Sequence, residues 1–138
     1  MINTNIFLDL LEERDGFFED SGKVLEICAA KKVKGFVTAS AITDIFFLLH
    51  KKLHDKEATY NALGNIFSIV DVIPTTAKQV KSAYLQKAKD FEDCLLAISA
   101  KDAKCDAIIT RNPKDFNDIG VKIAILTPKD FLNQFKKI

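Results

Sequence analysis

The chain has no long apolar run, no closely paired cysteines and no large excess of charge of either sign. None of its apolar runs reaches the roughly 18 residues that a membrane-spanning helix needs. Residues 1–5 contain no basic stretch leading into an apolar core, so the chain does not begin like a secreted protein. We therefore expect a cytoplasmic protein that does not enter a membrane.

Cysteine and histidine, the usual zinc ligands, are few. The three cysteines are far apart and form no C-x-x-C pair, which predicts reduced, buried thiols and no zinc site. His50 and His54 are four residues apart, but Lys51 stands where the H-E-x-x-H motif of zinc enzymes has glutamate. We interpret the two histidines as part of a solvated helix face.

Positive charge is also limited. The net charge is +1, and arginine, which binds phosphate as a fork, occurs only at Arg14 and Arg111. The lysines occur in short clusters that we interpret mostly as solvated helix faces. A nucleic-acid function would therefore need a local patch of positive charge.

Apolar residues are plentiful, and their spacing alternates between helical and strand-like. At 138 residues and 48% hydrophobic, the chain suits one domain, residues 1–138, around one core. Short strands are predicted before the first helix and at 35–38, 70–73, 107–110 and 122–126. Helices are predicted between them, with caps at Ser40, at Thr75 or Thr76 and at Asp90, and with Pro128 opening the last one. This order predicts an α/β fold, a three-layer α/β/α sandwich with a central parallel sheet of about five strands.

Acidic and amide residues follow the predicted strands. In an open parallel sheet, ligands bind at the carboxyl ends of the strands, so residues from separate segments should meet there. Gathered carboxylates raise one another's pKa unless a cation neutralises them. Mg²⁺ and Mn²⁺ prefer carboxylate oxygen and water, and such an ion can activate a water beside a phosphodiester. The pattern therefore indicates a metal-dependent phosphodiester chemistry.

Four segments carry a resemblance to a known family. They read, in order, I-N-T-N-I-F-L-D-L-L, V-T-A-S-A-I-T-D-I, D-F-E-D-C-L-L-A and I-I-T-R-N-P-K-D-F. Their order and spacing resemble the PIN (PilT N-terminal) domain family, of the VapC toxin type, over essentially the whole chain. The third and fourth segments are the most specific. The resemblance implies an endoribonuclease that cleaves single-stranded RNA with Mg²⁺ or Mn²⁺ and is blocked by a cognate antitoxin protein; a homodimer is left open.

The resemblance also implies roles for individual residues. Metal binding falls to Asp44, Asp93 and Asp115, with Asp90 beside them and Asn3 as a weakened further ligand. Thr4, Asn5, Thr110 and Asn112 would orient ligands or waters through hydrogen bonds. Arg111 and Lys114 would contact RNA phosphate.

Asn3 departs from the family pattern, which has an acidic residue before T-N. Asparagine has nearly the shape of aspartate and can offer a carbonyl oxygen, but it lacks the negative charge. It should therefore weaken both metal binding and cleavage. Asp9 is not expected to compensate, because it lies further along the first helix. We predict that Asn3→Asp raises Mg²⁺- or Mn²⁺-dependent cleavage of RNA.

Simpler interpretations exist for each segment taken alone. Asp90 and Asp93 suit the cap and third position of a helix, Asp44 suits an exposed first turn, and Asp115 suits a turn after Pro113. Residues 3–5 could merely cap the first helix.

Two other functions remain open. One is a PIN fold that no longer cleaves and binds RNA or an antitoxin; the other is a different α/β phosphoryl-transfer enzyme. Separately, an exposed Phe17–Phe18 pair would indicate a surface for a partner protein.

Overall fold

The computed structural model describes residues 1–13 and 15–136. Two helices precede each of the first three short strands. The elements are α1 (Thr4–Leu11), α2 (Phe18–Ala29), β1 (Phe36–Thr38), α3 (Ala39–Leu53), α4 (Lys56–Ile69), β2 (Asp71–Ile73), α5 (Ala77–Gln86), α6 (Phe91–Asp102), β3 (Ala107–Ile109), a 3₁₀ turn (Pro113–Phe116), β4 (Ala124–Leu126) and α7 (Pro128–Phe135).

Local capping sets most helix starts. Thr76 opens α5 in a capping box with Gln79, and Asp90 accepts a hydrogen bond at the start of α6, as the sequence predicted. The predicted cap Ser40 is wrong, because Thr38 caps α3 and accepts a hydrogen bond from Ala41 N at 3.3 Å. The strand β1 ends at Thr38, so the helix begins without a connecting loop.

The strands form two parallel pairs. Strand β1 pairs with β2 and β3 pairs with β4. Residues 1–3 lie between the pairs: Ile2 N donates to the Phe36 carbonyl at 2.8 Å, and Asn3 N donates to the Ile109 carbonyl at 3.0 Å. This segment forms only an isolated bridge, and each strand has three residues. The α/β class thus holds, but the predicted sheet of about five regular strands is not confirmed.

Apolar clusters cover both faces of the paired strands. Successive residues of a strand point to opposite faces. Accordingly, Ile109 packs with Ile6, Val24 and other residues of the α1–α4 side, whereas Ile108 packs with Leu96 and other residues of the α6 side. The carboxyl ends of β1 and β3, and of the segment between them, are thereby held at one edge.

The remaining predictions about single residue types have clear outcomes. All three cysteines are free, and Cys105 is only partly buried. His54 is the C-cap of α3 in a left-handed conformation, while the His50 ring stacks on Phe46. Across residues 1–13 and 15–136, no helix is long and apolar enough to cross a membrane.

Candidate active site

A cavity of about 310 Å³ opens at the carboxyl ends of β1 and of the segment at residues 1–3. Asn3, Asp44 and Asp93 line it, and they come from three separate parts of the chain. Thr4 and Glu92 also line it. The structure therefore brings together three of the residues that the resemblance assigned to metal binding.

Asp93 lies in the first turn of α6, where a hydrogen bond holds its backbone and other carboxylates lie nearby. Asp90 caps this helix, and its Oδ1 accepts a hydrogen bond from Asp93 N at 2.9 Å. Partial burial raises the pKa of Asp93 to about 6, and the carboxylates of Asp90, Asp115 and Glu92 act in the same direction. A hydrogen bond from the Asn3 side chain acts in the opposite direction. Capping and membership of the acidic site thus coexist in this turn.

Glu92 belongs to the acidic group, although the sequence did not single it out. Burial raises its pKa, and so do the charges of Asp44 and Asp90 together with a side-chain hydrogen bond to Asp44. Asp44 lies on α3 and Glu92 on α6, so only the packing of the fold brings them into contact. The one available sequence signal was its place in D-F-E-D, where any first-turn acid was a candidate.

Asn3 is held by hydrogen bonds on both ends of its amide. Its Oδ1 accepts from Asn5 N at 3.4 Å and so caps α1. Its Nδ2 donates to Thr110 Oγ1 at 3.2 Å. The Nδ2 group of Asn3 therefore donates a hydrogen bond at the position where an aspartate would have a negatively charged oxygen.

Thr110 connects Asn3 to two of the predicted supporting residues, Asn5 and Asn112. It is fully buried at the end of β3, and its Oγ1 accepts from Asn3 Nδ2, from Asn5 Nδ2 at 3.1 Å and from Asn112 N at 3.2 Å. One hydroxyl thus connects the start of α1 to the segment that follows β3. This arrangement fixes the two chain segments relative to each other.

Asp115 lies in an adjacent cavity. The 3₁₀ turn begins after Asn112 and places Lys114 and Asp115 in a cavity of about 460 Å³ that Lys89 and Asp90 also line. Asp115 does not line the cavity of Asp44, but its charge acts on Asp93. Asp90 and Asp93 therefore stand between the two halves of the acidic region.

Arg111 points away from both cavities. Its Nη1 forms an ion pair with Asp9 Oδ1 at 2.5 Å, and its side chain is largely buried. Asp9 is fully buried on α1 and does not line the acidic cavity. It therefore does not stand in for the missing carboxylate at position 3.

The chemistry of the donor set fits Mg²⁺ or Mn²⁺. The group consists of carboxylates and an amide, and burial, followed by the charges of neighbouring carboxylates, raises the pKa of Asp93 and Glu92. In the arrangement seen here, no three Asp, Glu, His or Cys side chains among residues 1–13 and 15–136 are close enough to hold an ion.

Comparison with known proteins identifies the family. A family model for the PIN domain matches residues 1–114. The chain belongs to the PIN domain family. The matched part of this PIN-domain protein contains Asn3, Asp44 and Asp93 and ends one residue before Asp115. The protein is also 25% identical to Ribonuclease VapC1 of Aquifex aeolicus (strain VF5), over 99% of this chain and 95% of that relative. The resemblance seen in the four sequence segments is thereby confirmed.

Proposed function

We propose that this PIN-domain protein is a divalent-metal-dependent endoribonuclease of the VapC toxin type. The observation that carries the proposal is the acidic region itself, where Asp44, Glu92 and Asp93 line one cavity, and where burial and neighbouring carboxylates raise the pKa of Glu92 and Asp93. Such a cluster of carboxylates destabilises the fold. Carboxylates with raised pKa values that line a cavity are therefore a candidate functional site. The relative named as a ribonuclease supports RNA as the substrate.

The proposed roles are those that the resemblance to the PIN family assigns; Asp44 and Asp93 line one cavity, and Asp115 lines the adjacent one. Asp44, Asp93 and Asp115 would hold Mg²⁺ or Mn²⁺, with Asn3 and Asp90 beside them. The ion, when bound, would neutralise charge at the phosphate and lower the pKa of a bound water. Asp93, with its pKa of about 6, is mostly ionised at neutral pH and can bind a cation there without a large proton cost.

Supporting roles fall to residues around the cluster. Thr110 and Asn5 keep Asn3 in place through the shared hydroxyl of Thr110. Lys114 is exposed beside Asp115, where its ammonium group could bind an RNA phosphate. We further propose that a cognate antitoxin protein binds this toxin-type domain.

Restoring the carboxylate at position 3 tests the proposal. Aspartate caps a helix as well as asparagine, so Asn3→Asp should leave the start of α1 intact. The added charge should strengthen Mn²⁺ binding and raise the cleavage rate of single-stranded RNA by about tenfold or more, as changes around metal sites commonly do. The matched control is Asn133→Asp, which adds the same charge on an exposed position of α7. Absence of Mn²⁺-dependent RNA cleavage by both the unchanged protein and Asn3→Asp would refute the proposed function.

A second candidate function rests on the hydrogen bonds of Asn3. Because its amide donates toward Thr110 and Asp93, it already offsets part of the charge of the cluster. A PIN domain that binds RNA without cleaving it is consistent with this contact. RNA binding without turnover, in the unchanged protein and in Asn3→Asp alike, would favour this candidate. Turnover of a small phosphate ester without RNA cleavage would instead favour a different phosphoryl-transfer enzyme.

A further inference from the structure

A buried ion pair connects α1 to the segment that follows β3. Asp9 is fully buried, and it meets Arg111, which is 102 positions further along the chain. The second oxygen of the Asp9 carboxylate accepts a hydrogen bond from Ser21 Oγ at 3.3 Å. The Phe17 ring covers the guanidinium, with its centroid 5.4 Å from Arg111 Cζ. Both oxygens of Asp9 are therefore engaged, and the cation is shielded by an aromatic ring.

The same face of α1 also holds the backbone of Arg111. Residues four apart on a helix lie on one face, so Asn5 and Asp9 are neighbours on α1. Asn5 Oδ1 accepts from Arg111 N at 3.3 Å, while Asp9 binds the Arg111 side chain. One residue is thus fixed at its backbone and at the end of its side chain. It stands directly after Thr110, whose hydroxyl binds Asn3.

Stability alone does not explain such a pair. Burying two charges costs several kcal/mol, and apolar residues of similar volume often stabilise a fold as well or better. What the ion pair adds is geometry, because the planar guanidinium can donate to a carboxylate in only a few orientations. Arg111, which Asp9 and Asn5 hold, lies in the segment that runs from Thr110 to Asp115 after β3.

We propose that Asp9 and Arg111 form a positioning pair that holds residues 110–115, and with them Asp115 and Lys114, in register with Asn3 and Asp93. Arg111 then acts on the site through the chain it anchors and does not itself bind RNA phosphate. The part of the inference that concerns metal binding rests on the proposed function. The part that concerns the position of residues 110–115 does not depend on that function.

Amide hydrogen exchange, read by mass spectrometry, tests the pair without any need for catalysis. The variants are Asp9→Asn and Arg111→Lys; the first removes the charge and the second keeps it but removes the fork. The matched control is Asp102→Asn, which removes a carboxylate that accepts from Gln79 Nε2 at 3.0 Å at the far end of α6. Exchange across residues 110–117 should become at least about tenfold faster in both variants and stay unchanged in the control.

Mn²⁺ affinity, measured by titration calorimetry, gives the consequence for the site. Loss of the contact between Asp9 and Arg111 should weaken Mn²⁺ affinity about tenfold or more, as loss of the groups that hold metal ligands in place commonly does. The cleavage rate should fall and KM for RNA should rise, because the displaced segment carries both Asp115 and Lys114. In variants that remain folded, unchanged exchange at residues 110–117, or exchange that rises equally throughout α1 and α2, would overturn the inference.

A double variant covers the case in which single variants unfold. Asp9→Leu combined with Arg111→Met replaces the pair by apolar side chains and should keep or raise the melting temperature. We expect its exchange at residues 110–117 to stay fast and its Mn²⁺ affinity to stay low. Recovery of slow exchange with restored stability would mean that the pair only fills space, and the inference would fail. If neither the unchanged protein nor Asn3→Asp binds Mn²⁺ or cleaves RNA, the proposed function fails. Amide hydrogen exchange at residues 110–117 still tests whether Asp9 and Arg111 position this segment.

Discussion

Asp93 should make the protein less stable as the pH rises. Its pKa in the folded protein is raised from an ordinary value of 3.8 to about 6. Between these values the folded protein keeps a proton that the unfolded chain has released, so increasing pH favours unfolding. The variant Asp93→Asn cannot titrate at this position. Its stability relative to the unchanged protein should therefore increase from about pH 4 to about pH 7.

The size of this effect can be worked out from the shift. A shift of that size in a fully buried group would correspond to about 3 kcal/mol. Because Asp93 is only partly buried, solvent screening reduces the expected gain of Asp93→Asn to about 1 kcal/mol. For a domain of this length that is a rise in melting temperature of about 4 °C at neutral pH.

Thermal unfolding in EDTA, followed by circular dichroism across the pH range, measures this difference. The matched control is Asp130→Asn, because Asp130 occupies the same third helical position after the cap Thr127 and so has the same relation to the helix dipole. Saturating Mn²⁺ should reverse the order by stabilising the unchanged protein more than Asp93→Asn. If the difference in melting temperature between the unchanged protein and Asp93→Asn does not depend on pH, or if Mn²⁺ stabilises both equally, the raised pKa of Asp93 and its role in metal binding are refuted.

Two further predictions concern the neighbours of the cluster. Thr110→Val should lower the free energy of unfolding by about 2 to 3 kcal/mol, because three donors lose their shared acceptor. Urea unfolding measures this loss, and a value below about 0.5 kcal/mol would contradict the hydrogen-bond network around Thr110. Lys114→Ala should raise KM for RNA several-fold and reduce the salt dependence of binding by about one unit of slope. The exposed Lys23 on α2 provides the control, and an equal effect of Lys23→Ala would show that the contact is not specific to Lys114.

Local chemistry made much of the fold predictable. Asp90, Thr76 and Pro128 act within a few residues of their own position, so helix starts could be located from short stretches of sequence. The strands were located nearly as well, but not their length or number. Strand ends depend on hydrogen bonds to distant segments, and here only three residues of each strand find such partners.

The candidate site divides in the same way. Its residue types and order along the chain were evident in four short segments, including the missing charge at Asn3. The contact between Asp44 and Glu92, the separate cavity of Asp115 and the burial of Arg111 against Asp9 were not. The amino-acid sequence by itself determined which groups can carry the chemistry and where several of the helices begin. Only the tertiary structure decided which charges meet, because those energies depend on distances and burial between residues far apart in the chain.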